Sequence, residues 1–248
     1  MAMRIPSQAE LVRVWERAFG QSSVERALIL LSACWEEPRE QLAALSIGRR
    51  DGRLLEVYRG LFGGYLDAFA MCPACSEPLE YRLSVQGLLA LHEKPTREIV
   101  VESDNVRVAL RAPNSFDLEA LEACADLDLA RNLLLERCVI NATAGGEGIA
   151  PQALPESVIE QIDAKLAEAE EQADLTIELQ CSACGHKWQV LLDVERFLWL
   201  KVSALARRLL GEVHVLASAY AWSESDILSL EPVRRQFYLD MVGTWAAS

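Results

Sequence analysis

The chain has 248 residues, 51% of them apolar, which lies between a one-domain and a two-domain length and is ample for a sizeable core. Collagen, a coiled-coil rod and a disordered tail are thereby excluded as descriptions of the whole. With 24 Lys and Arg against 37 Asp and Glu the formal charge is −13, so a phosphate backbone is repelled on average and general nucleic-acid binding is disfavoured.

The first residues, MAMRIPSQAELVRVW, have neither the continuous apolar stretch nor the small-residue cleavage site of a secretory signal. Lys201, Arg207 and Arg208 interrupt the richest apolar run, which leaves it short of the roughly 18 uncharged residues of a spanning helix. A soluble, cytoplasmic chain with no membrane partner is expected.

Ser7 followed by Glu10 has capping-box spacing, and Leu11, Val14, Trp15 and Phe19 recur behind it at helical intervals. Further helices are predicted over 23–35, 40–44 and 53–69, the last weakened by Gly63 and Gly64. The period then changes. Leu79, Tyr81, Leu83 and Val85 alternate with polar residues as in a half-buried strand, and residues 99–101 and 106–110 read as a hairpin turning at Ser103, Asp104 and Asn105.

Ser115 is expected to cap one helix through about residue 137, with Leu118, Leu121, Leu127, Leu129, Leu133 and Leu134 along a buried side. Residues 141–151, with three glycines, are the best loop or linker, and Pro155 opens a helix with an acidic outer face. Leu175, Ile177 and Leu179 form a strand, the alternation resumes from Trp188 to Val194, and residues 197–220 make a long apolar helix. Ser223 and Asp226 mark a further helix start, and a short helix follows near 232–242.

Seven cysteines without a signal peptide do not suggest a disulfide framework. Cys34, Cys124 and Cys138 lie in helical patterns as small hydrophobes. The other four form two pairs, Cys72-Pro-Ala-Cys75 and Cys181-Ser-Ala-Cys184. CPACSEPLEYRLSVQGLLAL, residues 72–91, aligns without gaps on CSACGHKWQVLLDVERFLWL, residues 181–200. In each copy the CxxC turn leads into a strand and then a helix start.

A CxxC turn sets two thiolates on one side of a tight knuckle, and two knuckles complete a closed tetrahedral zinc site. Cys72, Cys75, Cys181 and Cys184 are therefore the expected ligands of a structural Zn2+, in a zinc ribbon split by residues 76–180. A redox dithiol is the alternative for either pair, although neither sits between a parallel strand and the first turn of a helix. His186 is placed to hydrogen-bond near sulfur, while His92 and His214 read as structural.

No nucleophile triad, phosphate loop or HExxH motif is present, so no enzyme is expected. Trp188, Trp199, Tyr220 and Trp222 read mostly as core, with residues 222–238 the best partner surface.

Three segments, SIGRRDGRLLEVYRGLFG, VRVALRAPNSFDLEAL and FLWLKVSALARRLLGEVHVLASAYAWSESDILSLEPVRRQFYLDMV, together resemble the T4-like baseplate proteins, often labelled baseplate hub assembly chaperones. The C-terminal pattern, from Glu212 through Trp222, Glu224, Arg234 and Arg235 to Tyr238, is the most specific part of the resemblance. It implies a non-enzymatic role in forming the baseplate of a phage tail or contractile injection system. Baseplate or hub subunits would be the partners, docked on Trp222, Glu224, Arg234, Arg235 and Tyr238. Ser76 departs from the glycine that commonly follows a first knuckle in such relatives.

A zinc-ribbon adaptor or regulator acting on nucleic acid or the transcription machinery is the competing reading, and the acidic balance disfavours it. The expected fold is α+β: an N-terminal helical region over 1–70, a ribbon and antiparallel-sheet region over 71–194 with inserted helices at about 115–173, and C-terminal helices over 195–248. Changing Trp222 and Arg235 together is expected to abolish docking and spare the fold.

Overall fold

In the computed structural model, which describes residues 3–91, 99–103, 105–169 and 175–246, the chain is α+β with helices towards both ends and antiparallel sheets between them. Helix α1, Gln8–Ala18, opens on the anticipated capping box. Ser7 Oγ accepts from the Glu10 N–H, and Glu10 accepts the Ser7 N–H at 2.8 Å. That backbone bond, followed by the Arg4 guanidinium, pulls the Glu10 carboxyl down to about 2. Phe19 lies beyond the helix at its C-cap and is exposed, so it is not part of the buried stripe.

Helix α2, Ser23–Cys34, is apolar almost all round and correspondingly buried, from Val24 through Leu28 and Leu31 to Cys34. Helix α3, Arg39–Ala43, is short, and α4 runs Ile47–Phe62 behind a Ser46 cap. Helix α4 stops well before residue 69, because Gly63 sits at φ 96, a left-handed conformation open to glycine. The following residues form a strand, β1, Tyr65–Met71, which pairs with β2, Pro78–Ser84, from Tyr65↔Ser84 to Met71↔Pro78.

Helix α5, Val85–Leu91, completes this arm. Strands β3, Ile99–Ser103, and β4, Val106–Leu110, make the expected hairpin; Asp104, assigned to its turn, and His92 lie outside the described residues. The helix expected over 115–137 is two helices, α6, Ser115–Leu121, and α7, Leu127–Cys138. Asn114, not Ser115, caps the first. Asp126 caps the second by accepting from the Asp128 and Leu129 N–H groups, which leaves Leu127 and Leu129 exposed rather than on a buried side.

Much of the expected loop over 141–151 belongs to the sheet. Strand β5, Val139–Ala144, pairs with β4 and, through a turn at Gly145 and Gly146, with the two-residue β6, Glu147–Gly148. Both glycines have positive φ, so they serve a hairpin and not a linker. The sheet order is β3-β4-β5-β6. Helix α8, Glu156–Ala169, follows, then β7, Thr176–Gln180, paired with β8, Lys187–Leu191. The chain continues through α9, Val194–Tyr220, α10, Glu224–Ser229, and α11, Pro232–Ala246.

The chain divides into two compact units, Met1–Glu36 with Glu195–Ser248, and Glu37–Val194, so α3 and α4 group with the sheets. In the first unit Val12, Leu209 and Leu228 pack together. In the second, Ile99, Val101, Val108 and Leu110 of the sheet bury against Val158 and Ile162 of α8 and Leu135 of α7.

That second unit also encloses a charge. Asp117 is 0% exposed and accepts from Arg111 at 2.5 and 2.9 Å, from Arg137 Nε at 2.8 Å and from the Asn114 N–H at 2.9 Å. Burial raises its pKa, but Arg111, the Asn114 backbone and Arg137 together outweigh burial and hold it below the ordinary 3.8. A lowered folded-state pKa adds stability above the ordinary value, and this is lost as pH falls through the folded one. Arg111→Met removes two charge-assisted bonds and is expected to lower the unfolding free energy at pH 7 by about 2–3 kcal/mol in urea melts, with an unchanged slope. A loss below about 0.5 kcal/mol would show that Arg137 and the backbone suffice.

Candidate metal centre

Each CxxC turn joins two antiparallel strands, β1 to β2 and β7 to β8, and the two turns share one backbone design. The Ser76 N–H donates to the Cys72 carbonyl at 2.8 Å, and the Gly185 N–H donates to that of Cys181 at 2.9 Å. The Cys72 N–H donates to the Glu77 carbonyl, and the Cys181 N–H to the His186 carbonyl, both at 2.9 Å. The residue after each second cysteine is left-handed, Ser76 at φ 60 and Gly185 at φ 74.

These turns bring all four sulfurs within 4.8 Å of one another. Between knuckles, Cys72 and Cys184 lie 3.7 Å apart and Cys75 and Cys181 3.6 Å apart. Such distances are far longer than a disulfide bond, and all four are free cysteines. Cys72 and Cys181 are buried, whereas Cys75 and Cys184 face solvent. The set can hold one metal ion.

Electrostatics prepare the cluster unevenly. The Cys184 N–H, with the Ala183 N–H, draws the Cys181 thiol down to about 7 against its burial. At Cys75 the Glu77 N–H lowers the value, but the neighbouring Cys184, Cys72 and Cys181 thiols and desolvation carry it up to about 12. Four thiols this close do not all ionise without a cation between them.

His186 supplies its backbone carbonyl to the knuckle, and its ring stacks on Trp188 with centroids 6.1 Å apart. Its ring is not in the ligand cluster. Trp199 lies under the Arg26 guanidinium at 5.3 Å.

The C-terminal residues expected to dock a partner separate into different environments. Tyr220, Trp222 and Tyr238 pack on one another, with centroids 4.7 to 5.8 Å apart, so much of their aromatic surface is used within the fold. Glu224 and Arg234 are exposed. Arg235 is 2% exposed, and donates from Nε to Glu212 at 2.7 Å and from Nη1 to Gln8 at 2.5 Å. Arg235 is thus a buried strut between α11, α9 and α1. Changing it acts on the fold, which corrects the expectation that a Trp222 and Arg235 double change spares folding.

Two features escape the motif reading. Strand β1 precedes Cys72 as β7 precedes Cys181, so extending the repeat backwards from each pair would have found it. The Asp117 ion cluster carries a local sign as well, since Asn114 and Asp117 form a reciprocal capping box.

A left-handed non-glycine residue is strained, on the order of 1 kcal/mol. Ser76→Gly is therefore expected to raise stability by about 0.5–1 kcal/mol in urea melts, and Gly185→Ser to lower it by a similar amount. Equal and negligible effects at both positions would show that the knuckles tolerate the strain freely.

No curated protein and no solved structure matches the chain. A family model described as T4 bacteriophage base plate protein matches residues 21–199, a segment that holds both knuckles and ends before the C-terminal pattern of Glu212 to Tyr238. With more than two thirds of its length matched, the chain belongs to the T4 bacteriophage base plate protein family.

Proposed function

We propose that this chain is a non-enzymatic structural protein of a baseplate, in a phage tail or a related contractile injection particle, held in shape by a structural zinc ion. The family match over residues 21–199 carries the baseplate reading. Its partners are then neighbouring baseplate or hub subunits. Glu224 and Arg234, exposed on the C-terminal helices, are available to them, with the outer edges of Trp222 and Tyr238. Among the described residues no helix is long and apolar enough to cross a membrane.

The sulfur geometry supports zinc. Thiolates roughly 2.3 Å from a tetrahedral ion stand about 3.8 Å from one another, close to the 3.6 and 3.7 Å between knuckles. Four sulfur ligands leave no open coordination position, which suits a structural ion. Bound there, zinc would join two arms whose cysteines are separated by residues 76–180.

Metal analysis of the chain purified without chelator is expected to give one zinc per chain, falling below half an equivalent in Cys184→Ser. Stripping the ion is expected to cost on the order of 10 kcal/mol and abolish cooperative unfolding of the ribbon arms. Less than half an equivalent in the unaltered chain with its thiols free would refute the zinc assignment.

Mass spectrometry of purified particles tests the role itself. The chain is expected at a fixed small-integer ratio to a baseplate subunit. Presence in the producing lysate and absence from finished particles would overturn the structural role and make the chain a transient assembly chaperone.

A further inference from the structure

Helix α5 packs against α4, and between them runs an open groove of about 430 Å3. Arg49, Arg53, Glu56 and Arg59 follow one another along α4 at steps of four, three and three residues, so they line one face of that helix. Gln86 and Leu89 of α5 form the opposite wall.

The three guanidinium groups are not equally engaged. Arg53 forms a two-pronged ion pair with Glu37, with Nη2 donating at 3.2 Å. Arg59 donates from Nη1 to Gln86 Oε1 at 2.9 Å, a neutral acceptor that positions the group and leaves its charge uncompensated. Arg49 is exposed, and among the described residues its side chain has neither a hydrogen-bond nor an ion-pair partner. Glu56, the one carboxylate of the lining, is in no ion pair among the described residues. Two uncompensated cations therefore share one groove in a chain whose formal charge is −13.

Their spacing sets the size of a ligand. Ten positions of α4 separate Arg49 from Arg59, a rise of about 15 Å. With Arg59 held by Gln86, a small anion meets one of the two, whereas an extended peptide at roughly 3.3 Å per residue reaches both with about five residues. A nucleic-acid strand also has the length, but its continuous phosphates meet the acidic balance of the rest of the chain. A short segment with a few carboxylates carries its charge only where the arginines are.

We propose that the α4–α5 groove is a docking site for an acidic segment of a neighbouring baseplate subunit, in which two carboxylates about five residues apart pair with Arg49 and Arg59. The proposal rests on the baseplate reading for the source of the segment. Each guanidinium fork offers a carboxylate two parallel N–H donors, which gives orientation as well as attraction. Glu56 lies between the two arginines along α4 and repels a third acid at the middle of the segment, so it selects the register.

The test uses the full chain and fluorescent 15-residue peptides tiled across the baseplate subunits of the purified particle. Overlapping peptides from one subunit, sharing a stretch with two separated acids, are expected to bind, and to bind at least tenfold more weakly when salt is raised from about 50 to about 500 mM. Arg49→Glu and Arg59→Glu are each expected to weaken binding at least tenfold, the first without moving the urea midpoint. Glu56→Gln is expected to tighten it at least threefold. The proposal is overturned if no tiled peptide binds, if binding is indifferent to salt or to either arginine variant, or if Glu56→Gln fails to tighten it. A thymidine oligonucleotide binding more tightly through the same two arginines would also overturn it, by giving the groove to phosphates. Particle stoichiometry is read separately, so a chain present at a fixed ratio that binds no peptide fails here while the baseplate reading stands.

Discussion

Four sulfurs within 4.8 Å of one another bring the tips of two thinly packed arms to one point. A two-stranded ribbon has one pair of strands and no opposing layer, so alone it is marginal in water. Both arms here are of that kind. Along β1 only Leu66 is fully buried, while Tyr65, Phe69 and Met71 are exposed; along β7 and β8 only Leu179 is buried. Each arm carries a cysteine knuckle at its tip, and in the first arm α5 follows β2 and packs against it.

The insertion between the arms is held by a different kind of interaction. Its sheet and α8 bury a continuous apolar layer, and Asp117 brings α6, α7 and the end of β4 to one carboxylate. A buried carboxylate is costly unless fully partnered, so its geometry is narrowly defined: two guanidinium groups and one backbone N–H converge on it. Arg111 and Arg137 are about one third exposed, which keeps their own desolvation modest. The apolar layer supplies the bulk of the stabilisation, and the ion cluster sets which helix ends meet.

What was legible in the sequence follows from range. The cysteine pairs, the Ser7 capping box, the helix start at Ser223 and the pairing of β3 with β4 are local patterns that the structure forms, although Ser103, read as part of the turn, belongs to β3 and pairs with Val106. Strand β1 was missed because Leu66 and Phe69, three apart after a helix, imitate a continuing helical stripe. The gap between α6 and α7 was missed because leucines at helical spacing masked the Asp126 cap. Arg235 could not be read at all: its burial depends on Gln8 at the opposite end of the chain and on Glu212 in another helix, and an arginine in a polar motif is ordinarily a surface residue. The convergence of the two knuckles was legible although their cysteines are 106 and 112 residues apart, because the repeat states the same local structure twice and tetrahedral thiolate ligation calls for two such halves.

This contrast also assigns a role to the long insertion. A ribbon with a short spacer needs its metal to exist as a folded unit, since it has almost nothing else. The module between these knuckles has its own apolar core, from Ile99 and Val101 to Ile162, and none of the four cysteines belongs to it. Loss of the sulfur cluster is therefore expected to leave the module's own core folded. The apolar layer, to which the cluster contributes nothing, governs whether the sheet and α8 form.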